Sequence, residues 1–206
     1  MNRKLYTSSL TIFVLFTFLP GIRADTYGLY QTTQYFSADK RYYVEVNEKK
    51  RATLYLNGRK SKRVWTRTLA ELPGDVVVSN DGSRVALIDR YYGNGGTSQA
   101  AVVLILDNKG NDLAGYSLDE VANLQRVART TSSSHWYWGG EFTADGQSLI
   151  IQTAIKKCEG PVQVKSENDV ALAAECGRLT PYEKLRFDAV TGKMVSRIPL
   201  ATITLR

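Results

Sequence analysis

Three stretches of the chain open alike: YFSADKRYYVEV at 35–46, VVSNDGSRVALID at 77–89 and EFTADGQSLIIQT at 141–153. Each sets an apolar residue, then Ser or Thr, a small residue, Asp, one or two turn residues and an apolar strand. Asp39, Asp81 and Asp145 are therefore equivalent, at spacings of 42 and 64 residues. An Asp side chain accepts hydrogen bonds from the backbone of the turn that follows it, and Gly82 and Gly146 supply the positive φ that such a turn often takes. This recurrence constrains the fold most, because it fixes where strands reverse.

A second matched element follows each corner. It is LYLNGRK at 54–60, LILDNKGND ending at Asp112, and LRFDAVTGK at 185–193, each a strand running into a turn with glycine. The runs VWTRTL, LAGYSL and MVSRIPL then close the three units, which span about 35–72, 75–129 and 136–200. Short apolar or alternating runs rich in Val, Ile, Leu, Tyr and Thr, bounded by Gly, Asn, Asp and Lys, read as strands throughout. Helical signal is confined to SLDEVANLQRVAR at 117–129, where Ser117 caps, Glu120 completes a capping box, and Val121, Leu124 and Val127 recur at helical spacing. The chain is thus all-β with one short helix, and four antiparallel strands per unit is the blade of a propeller.

The corners resemble those of the WD-repeat-like propeller blades of bacterial periplasmic proteins, such as those of the Tol system, where a Ser-Pro-Asp-Gly turn opens each blade. The residues that carry the resemblance are Ser37-Ala38-Asp39, Ser79-Asn80-Asp81-Gly82 and Thr143-Ala144-Asp145-Gly146, with Asp107–Gly110 and Asp188–Gly192 at the second turn. None has the proline, and the first has Lys40 where the others have glycine. The resemblance implies a propeller-like array of about three four-stranded blades; a two-sheet β-sandwich is the alternative. Propellers usually have about four to eight blades, so three leave unpaired edges that invite pairing. Three remedies are open: TYGLYQTTQYF pairing with the C-terminal TITL, two chains joining into a six-bladed homodimer, or a curved open sheet.

Residues 1–24 read as a signal peptide, with Arg3 and Lys4 before the apolar run Leu10–Leu19, then Pro20-Gly21 and Ala24. That run is too short to span a bilayer, which takes about 20 residues; a retained anchor is the alternative. Cleavage leaves one domain, 25–206, exported to the periplasm or secreted. Formal net charge is +7, but losing Arg3, Lys4 and Arg23 leaves 24 basic against 20 acidic residues, or +4. Lys49, Lys50, Arg51, Arg59, Lys60, Lys62 and Arg63 crowd one run at 49–63, which reads either as a solvated hairpin or as a patch for anionic lipid or polysaccharide. Membrane contact is expected only through that run or a retained leader. Nucleic acid is not expected, because no recognition helix or base-stacking motif accompanies the charges. Cys158 and Cys176, the only cysteines, pair as a disulfide in an exported chain, with two free thiols as the alternative. One histidine and this spacing assemble no Cys/His zinc site, no EF-hand-like ligand run is present, and no cofactor is expected.

Two stretches carry the candidate contacts. In TTSSSHWYWGGEF, at 130–142, strand alternation sends Trp136 and Trp138 to one face and His135 and Tyr137 to the other. The tryptophans read as packing against a neighbouring blade, or as a sugar or peptide platform if exposed. In DRYYGNGGTSQ, at 89–99, Tyr91, Tyr92 and Asn94 make a recognition loop or a plain hairpin tip. No G-x-S-x-G elbow and no oriented base accompany the serines, so no catalytic residue is assigned. Among the carboxylates Asp75, Asp89, Asp119, Glu120, Glu141 and Asp188, the repeat accounts for Asp188 and the helix cap for Glu120, while Glu141, on a strand beside Phe142, is with His135 the candidate for general acid chemistry. The reading is a non-catalytic binding domain that recognises a protein or envelope polymer through Tyr91, Tyr92, Asn94, His135, Trp136 and Trp138. A polysaccharide- or peptide-acting hydrolase or lyase and a homodimeric assembly module are the alternatives. Acids converging in one cleft would favour the enzyme.

Overall fold

The computed structural model describes residues 31–93, 101–122, 128–129, 133–156 and 179–200. Within them lie three four-stranded antiparallel sheets, each built from strands consecutive along its unit. Sheet A is β1 (Thr33–Phe36), β2 (Tyr42–Val46), β3 (Arg51–Leu56) and β4 (Lys62–Thr68). Sheet B is β5 (Asp75–Val78), β6 (Val85–Ile88), β8 (Val103–Leu106) and β9 (Asp112–Tyr116), with β7 (Tyr91–Gly93) leaving it between β6 and β8. After α1 (Leu118–Val121), β10 (Ala128–Arg129) and β11 (Ser133–His135) join β7 in a small three-stranded sheet, sheet C. Sheet D is β12 (Tyr137–Phe142), β13 (Ser148–Lys156), β14 (Leu179–Asp188) and β15 (Met194–Pro199).

The Asp corners fold as one motif. The Ser37 hydroxyl donates to Asp39 Oδ1 at 2.8 Å, while the Arg41 amide donates to the same oxygen at 3.0 Å. Ser79, Asp81 and Ser83 repeat this at 2.7 and 2.9 Å, and Thr143, Asp145 and Gln147 at 2.6 and 3.0 Å. The left-handed residue of each corner is Lys40, Gly82 or Gly146, at φ of 59°, 68° and 69°. At the second turn Gly110 and Gly192 also take positive φ, 80° and 72°. Sheet A departs from the expected pattern there: Gly58 is not left-handed and a Cβ on it would meet nothing within 4 Å.

Stacking of one sheet on the next explains those differences. Strand register puts Val44, Leu54 and Trp65 in one row of sheet A and Val46, Ala52 and Arg67 in the next, the face turned to sheet B. The Trp65 ring lies 2.9 Å from where a Gly110 Cβ would stand, and Arg67 Nη1 donates to the Gly110 carbonyl at 2.9 Å. The same relation recurs one step on. Ala114 abuts Gly192, and the Tyr116 hydroxyl donates to the Gly192 carbonyl at 2.7 Å. Sheet B therefore has both faces covered, and β6, VALI, is buried at every position. Ala86, Ile88, Val103 and Ile105 of sheet B and Leu149, Ile151, Leu185 and Phe187 of sheet D share one core cluster. At the inner edge β5 touches β1, β2 and β12. The arrangement is a propeller-like array of three blades.

The helix is shorter than the pattern over 117–129 predicts. It is one turn with its amide Ser117 N donating to Glu120 Oε2 at 2.8 Å, and it ends where Ala122 turns extended at φ −137°. Ala128 and Arg129 instead pair with His135 and Ser134. Short helices are marginal alone, and a buried Leu118, Val121 and Ala122 gain more from the core than from a second turn. Cys158, Cys176, Asn94 and the C-terminal TITL lie outside the described residues.

Candidate functional site

The two candidate stretches, more than thirty residues apart in the chain, meet as neighbouring strands. Strand β7 pairs with β11 so that Tyr91 faces His135, Tyr92 faces Ser134 and Gly93 faces Ser133. His135 is half-buried and partnered. What fixes this small sheet on the blades is the next pair of residues. Trp136 is fully buried, and its indole Nε1 donates to the Asp89 carbonyl at 2.7 Å, pinning the point where the chain leaves β6. Tyr137 is buried beside it, ring centroids 5.7 Å apart, and its hydroxyl donates to Asp75 Oδ2 at 2.8 Å. Burial, followed by the charge of Asp75 and its hydrogen bond, pushes the Tyr137 hydroxyl far above the ordinary phenol range. The Arg90 guanidinium sits 5.9 Å from the Tyr137 ring centroid, a cation–π distance. Gly74 lets Arg90 close in: a Cβ there would be 2.9 Å from the Arg90 side chain.

Trp138 does the opposite of Trp136. It is 46% exposed, although two-residue spacing in an unbroken strand puts both rings on one face. Two irregularities correct that expectation. Trp136 falls between β11 and β12 rather than inside a strand, and the pairing with β13 slips between Tyr137 and Gly139. A bulge of this kind re-aims a side chain, and here it sends Trp138 to solvent while Trp136 and Tyr137 wedge between sheets B and D. Of the six expected contacts, Tyr91, Tyr92 and His135 lie on the paired strands β7 and β11, Trp136 is buried directly after them, Trp138 stands exposed on β12, and Asn94 lies outside the described residues.

Sequence reasoning passed over the supporting group of Asp75, Arg90 and Tyr137, whose members lie up to 62 residues apart and carry no local signal. Nor did it find the cleft of about 210 Å³ at the inner edges of the three sheets, lined by Phe36, Asp75, Asn80, Glu141 and Phe142 among others. Asp75 and Glu141 thus line one cleft. Asp75 already holds the Tyr137 hydroxyl on one oxygen and the Val76 amide on the other, at 2.9 Å, and Glu141 is exposed. A second groove, about 480 Å³, runs between sheets A and B past Lys62, Arg63, Asp81 and Ser83. Among the described residues no group of His, Cys, Asp and Glu is arranged to hold a metal ion, and no helix is long and apolar enough to cross a membrane.

No protein-family model matches the chain, and no curated protein matches it. Solved structures overlap it in part. BamB from Moraxella catarrhalis aligns with 79% of this chain and 50% of its own, at 16% identity and a TM-score of 0.38. A candidate 6-phosphogluconolactonase from Bacteroides fragilis aligns with 80% and 41%, at 14% identity and a TM-score of 0.36. The chain spans half or less of the length of either. The blade arrangement described above rests on the sheets themselves and on their contacts.

Proposed function

We propose that the protein is an exported binding domain that recognises a protein or cell-envelope polymer through the small sheet of β7, β10 and β11 and the exposed Trp138 beside it. The observation that carries this reading is the split of the two tryptophans. Trp136 is fully buried and anchors the site, while Trp138, a large rigid ring three residues beyond His135, stands 46% exposed on the strand that follows β11, and β11 pairs with the strand carrying Tyr91 and Tyr92. An ordinary blade strand gains nothing from an exposed Trp, whereas binding surfaces use such rings as anchors. Asp75, Tyr137 and Arg90 act as positioning residues that hold the platform on the blades.

A photo-cross-linking amino acid at position 138, introduced in cells that make the protein, tests the reading, with Thr66 on sheet A as the control position. The expected adduct forms at 138 and not at 66, and its sensitivity to protease or to a polymer-degrading enzyme tells the two ligand classes apart. Absence of any adduct specific to 138 refutes the proposal. A hydrolase or lyase is the second reading, favoured by Asp75 and Glu141 sharing a cleft. It requires that Glu141→Gln abolish turnover of an envelope polysaccharide or peptide while leaving the cross-link at 138 intact.

A further inference from the structure

We propose that the end of sheet A carrying two of its three reversals, at 37–41 and 57–61, docks on an anionic lipid membrane. The residues come together through Asn57, whose side-chain Nδ2 donates to the Lys40 carbonyl at 2.9 Å and whose amide donates to the Arg41 carbonyl at 2.7 Å. This bond lays the corner at 37–41 beside the loop at 57–61. Lys40, Arg59, Lys60, Lys62 and Arg63 are all exposed there. None of them enters an ion pair among the described residues, where Arg41, Lys50, Arg67 and Arg197 have the carboxylate partners.

The fold does not require these charges. At the same corner sheets B and D carry Gly82 and Gly146, and their second turns, 107–112 and 188–193, hold one lysine each, Lys109 and Lys193. Apolar side chains stand among the cations: Leu56 is 39% and Val64 45% exposed. A bilayer interface rewards both kinds of group, headgroup phosphates meeting the cations and the acyl boundary taking the apolar side chains. A polysaccharide would leave Leu56 and Val64 in water, so the lipid surface is the better match. The adjoining groove between sheets A and B opens beside Lys62, Arg63, Ser83 and Asn108. Its one acid, Asp81, has Oδ1 engaged by the Ser79 hydroxyl and the Ser83 amide.

The basic run of the sequence is therefore two places. Lys49, Lys50 and Arg51 lie at the far end of β3, six residues or roughly 20 Å from Leu56. Lys50 is occupied there by Glu71 at 2.9 Å and the Ala70 carbonyl at 2.8 Å. That separation supplies an internal control. The inference rests on no part of the Trp138 reading.

The test is co-sedimentation of the protein, purified as cells make it, with vesicles of phosphatidylcholine alone or mixed equally with phosphatidylglycerol. Binding is expected only to the mixed vesicles and falls as salt rises. Each Lys or Arg at such a surface is worth about fivefold in binding, so Arg59→Gln, Lys60→Gln, Lys62→Gln and Arg63→Gln together lower it by a few hundred-fold at low salt. Lys49→Gln with Arg51→Gln changes binding by about twofold or less, since these residues face away from the surface. Equal binding to both vesicle types, equal binding by the fourfold variant, or a loss in the control variant that matches its charge each overturns the proposal. So does tight binding to heparin or polygalacturonate without vesicle binding, which would assign the patch to a polysaccharide. Circular dichroism of both variants confirms that the fold survives these exposed substitutions.

Discussion

Gly82→Ala isolates the contact that stacks sheet B on sheet A. Gly82 and Gly146 occupy the same place in matching corners, at φ of 68° and 69°, so alanine strains the backbone equally at both. That strain is about 1–2 kcal/mol. Only the surroundings differ: a Cβ on Gly82 would sit 2.5 Å from the Tyr42 ring, whereas one on Gly146 meets nothing nearer than Asp81 at 3.8 Å. The ring belongs to the preceding sheet and must shift, which adds about 1–3 kcal/mol of overpacking. Gly82→Ala should thus cost about 2–5 kcal/mol and Gly146→Ala about 1–2. In urea the difference separates the two unfolding midpoints by about 0.5–1.5 M. Repeating Gly82→Ala in a Tyr42→Ala background should bring its cost down to that of Gly146→Ala, since partners in contact couple. Equal costs for the two glycines, or a Gly82→Ala cost unchanged by removing the Tyr42 ring, would show that the two sheets do not stack as described.

Trp136→Ala should cost about 3–5 kcal/mol for a fully buried aromatic, and Trp138→Ala should stay within about 0.5 kcal/mol in the same urea assay; a large loss at Trp138 would make it a packing residue rather than a contact. Burial pushes the Asp81 carboxyl up, but the Ser83 amide and Ser79 hydroxyl outweigh it, and Thr143 and the Gln147 amide hold Asp145 down likewise. Their folded values lie below the ordinary 3.8, so their stabilisation is present above that pH and is lost as pH falls below it. Asp81→Asn should therefore be less stable than the parent at neutral pH and show a shallower loss below 3.8, measured by denaturation across an acid series. Sedimentation velocity at several concentrations should show a monomer, and a concentration-dependent dimer would contradict the terminal faces described below.

What could be read from the sequence was local. The Asp corners, the strand order and the three units follow from turn chemistry and alternation within a dozen residues, and the sheets have the connectivity this implies. What escaped was set across units. Trp136 meets Asp89, 47 residues earlier, and Tyr137 meets Asp75, 62 residues earlier; neither leaves a periodic trace. The slip between Tyr137 and Gly139 defeats alternation, so Trp138 could not be placed outside by counting. Gly58 matches the turn pattern in letters but not in φ, and a Cβ on it would meet nothing within 4 Å. Lys40 makes the same point from the other side. A side chain is tolerated at a left-handed corner where the space in front is open, whereas Gly82 faces a ring.

The side chains also distinguish the outer faces of the described sheets from the faces packed between them. On the face that receives the next sheet, sheet A offers Val44, Leu54, Val46 and Ala52, and sheet B offers Ala86, Ile105, Ile88 and Val103. At the matching places sheet D has Ile150 with Arg186, and Gln152 with Lys184. At the opposite end sheet A shows Phe36, Tyr43 and Tyr55 stacked at 5.3 and 5.0 Å, next to a polar row closed on itself by Gln34 with Glu45 and Thr53 with Thr66. A second copy completing a ring would press Lys184 and Arg186 against that aromatic ladder. Each cation–π contact would return about 0.5–2 kcal/mol, while removing each ion from water costs several kcal/mol. Desolvation outweighs those contacts, which disfavours closing a ring through these two faces.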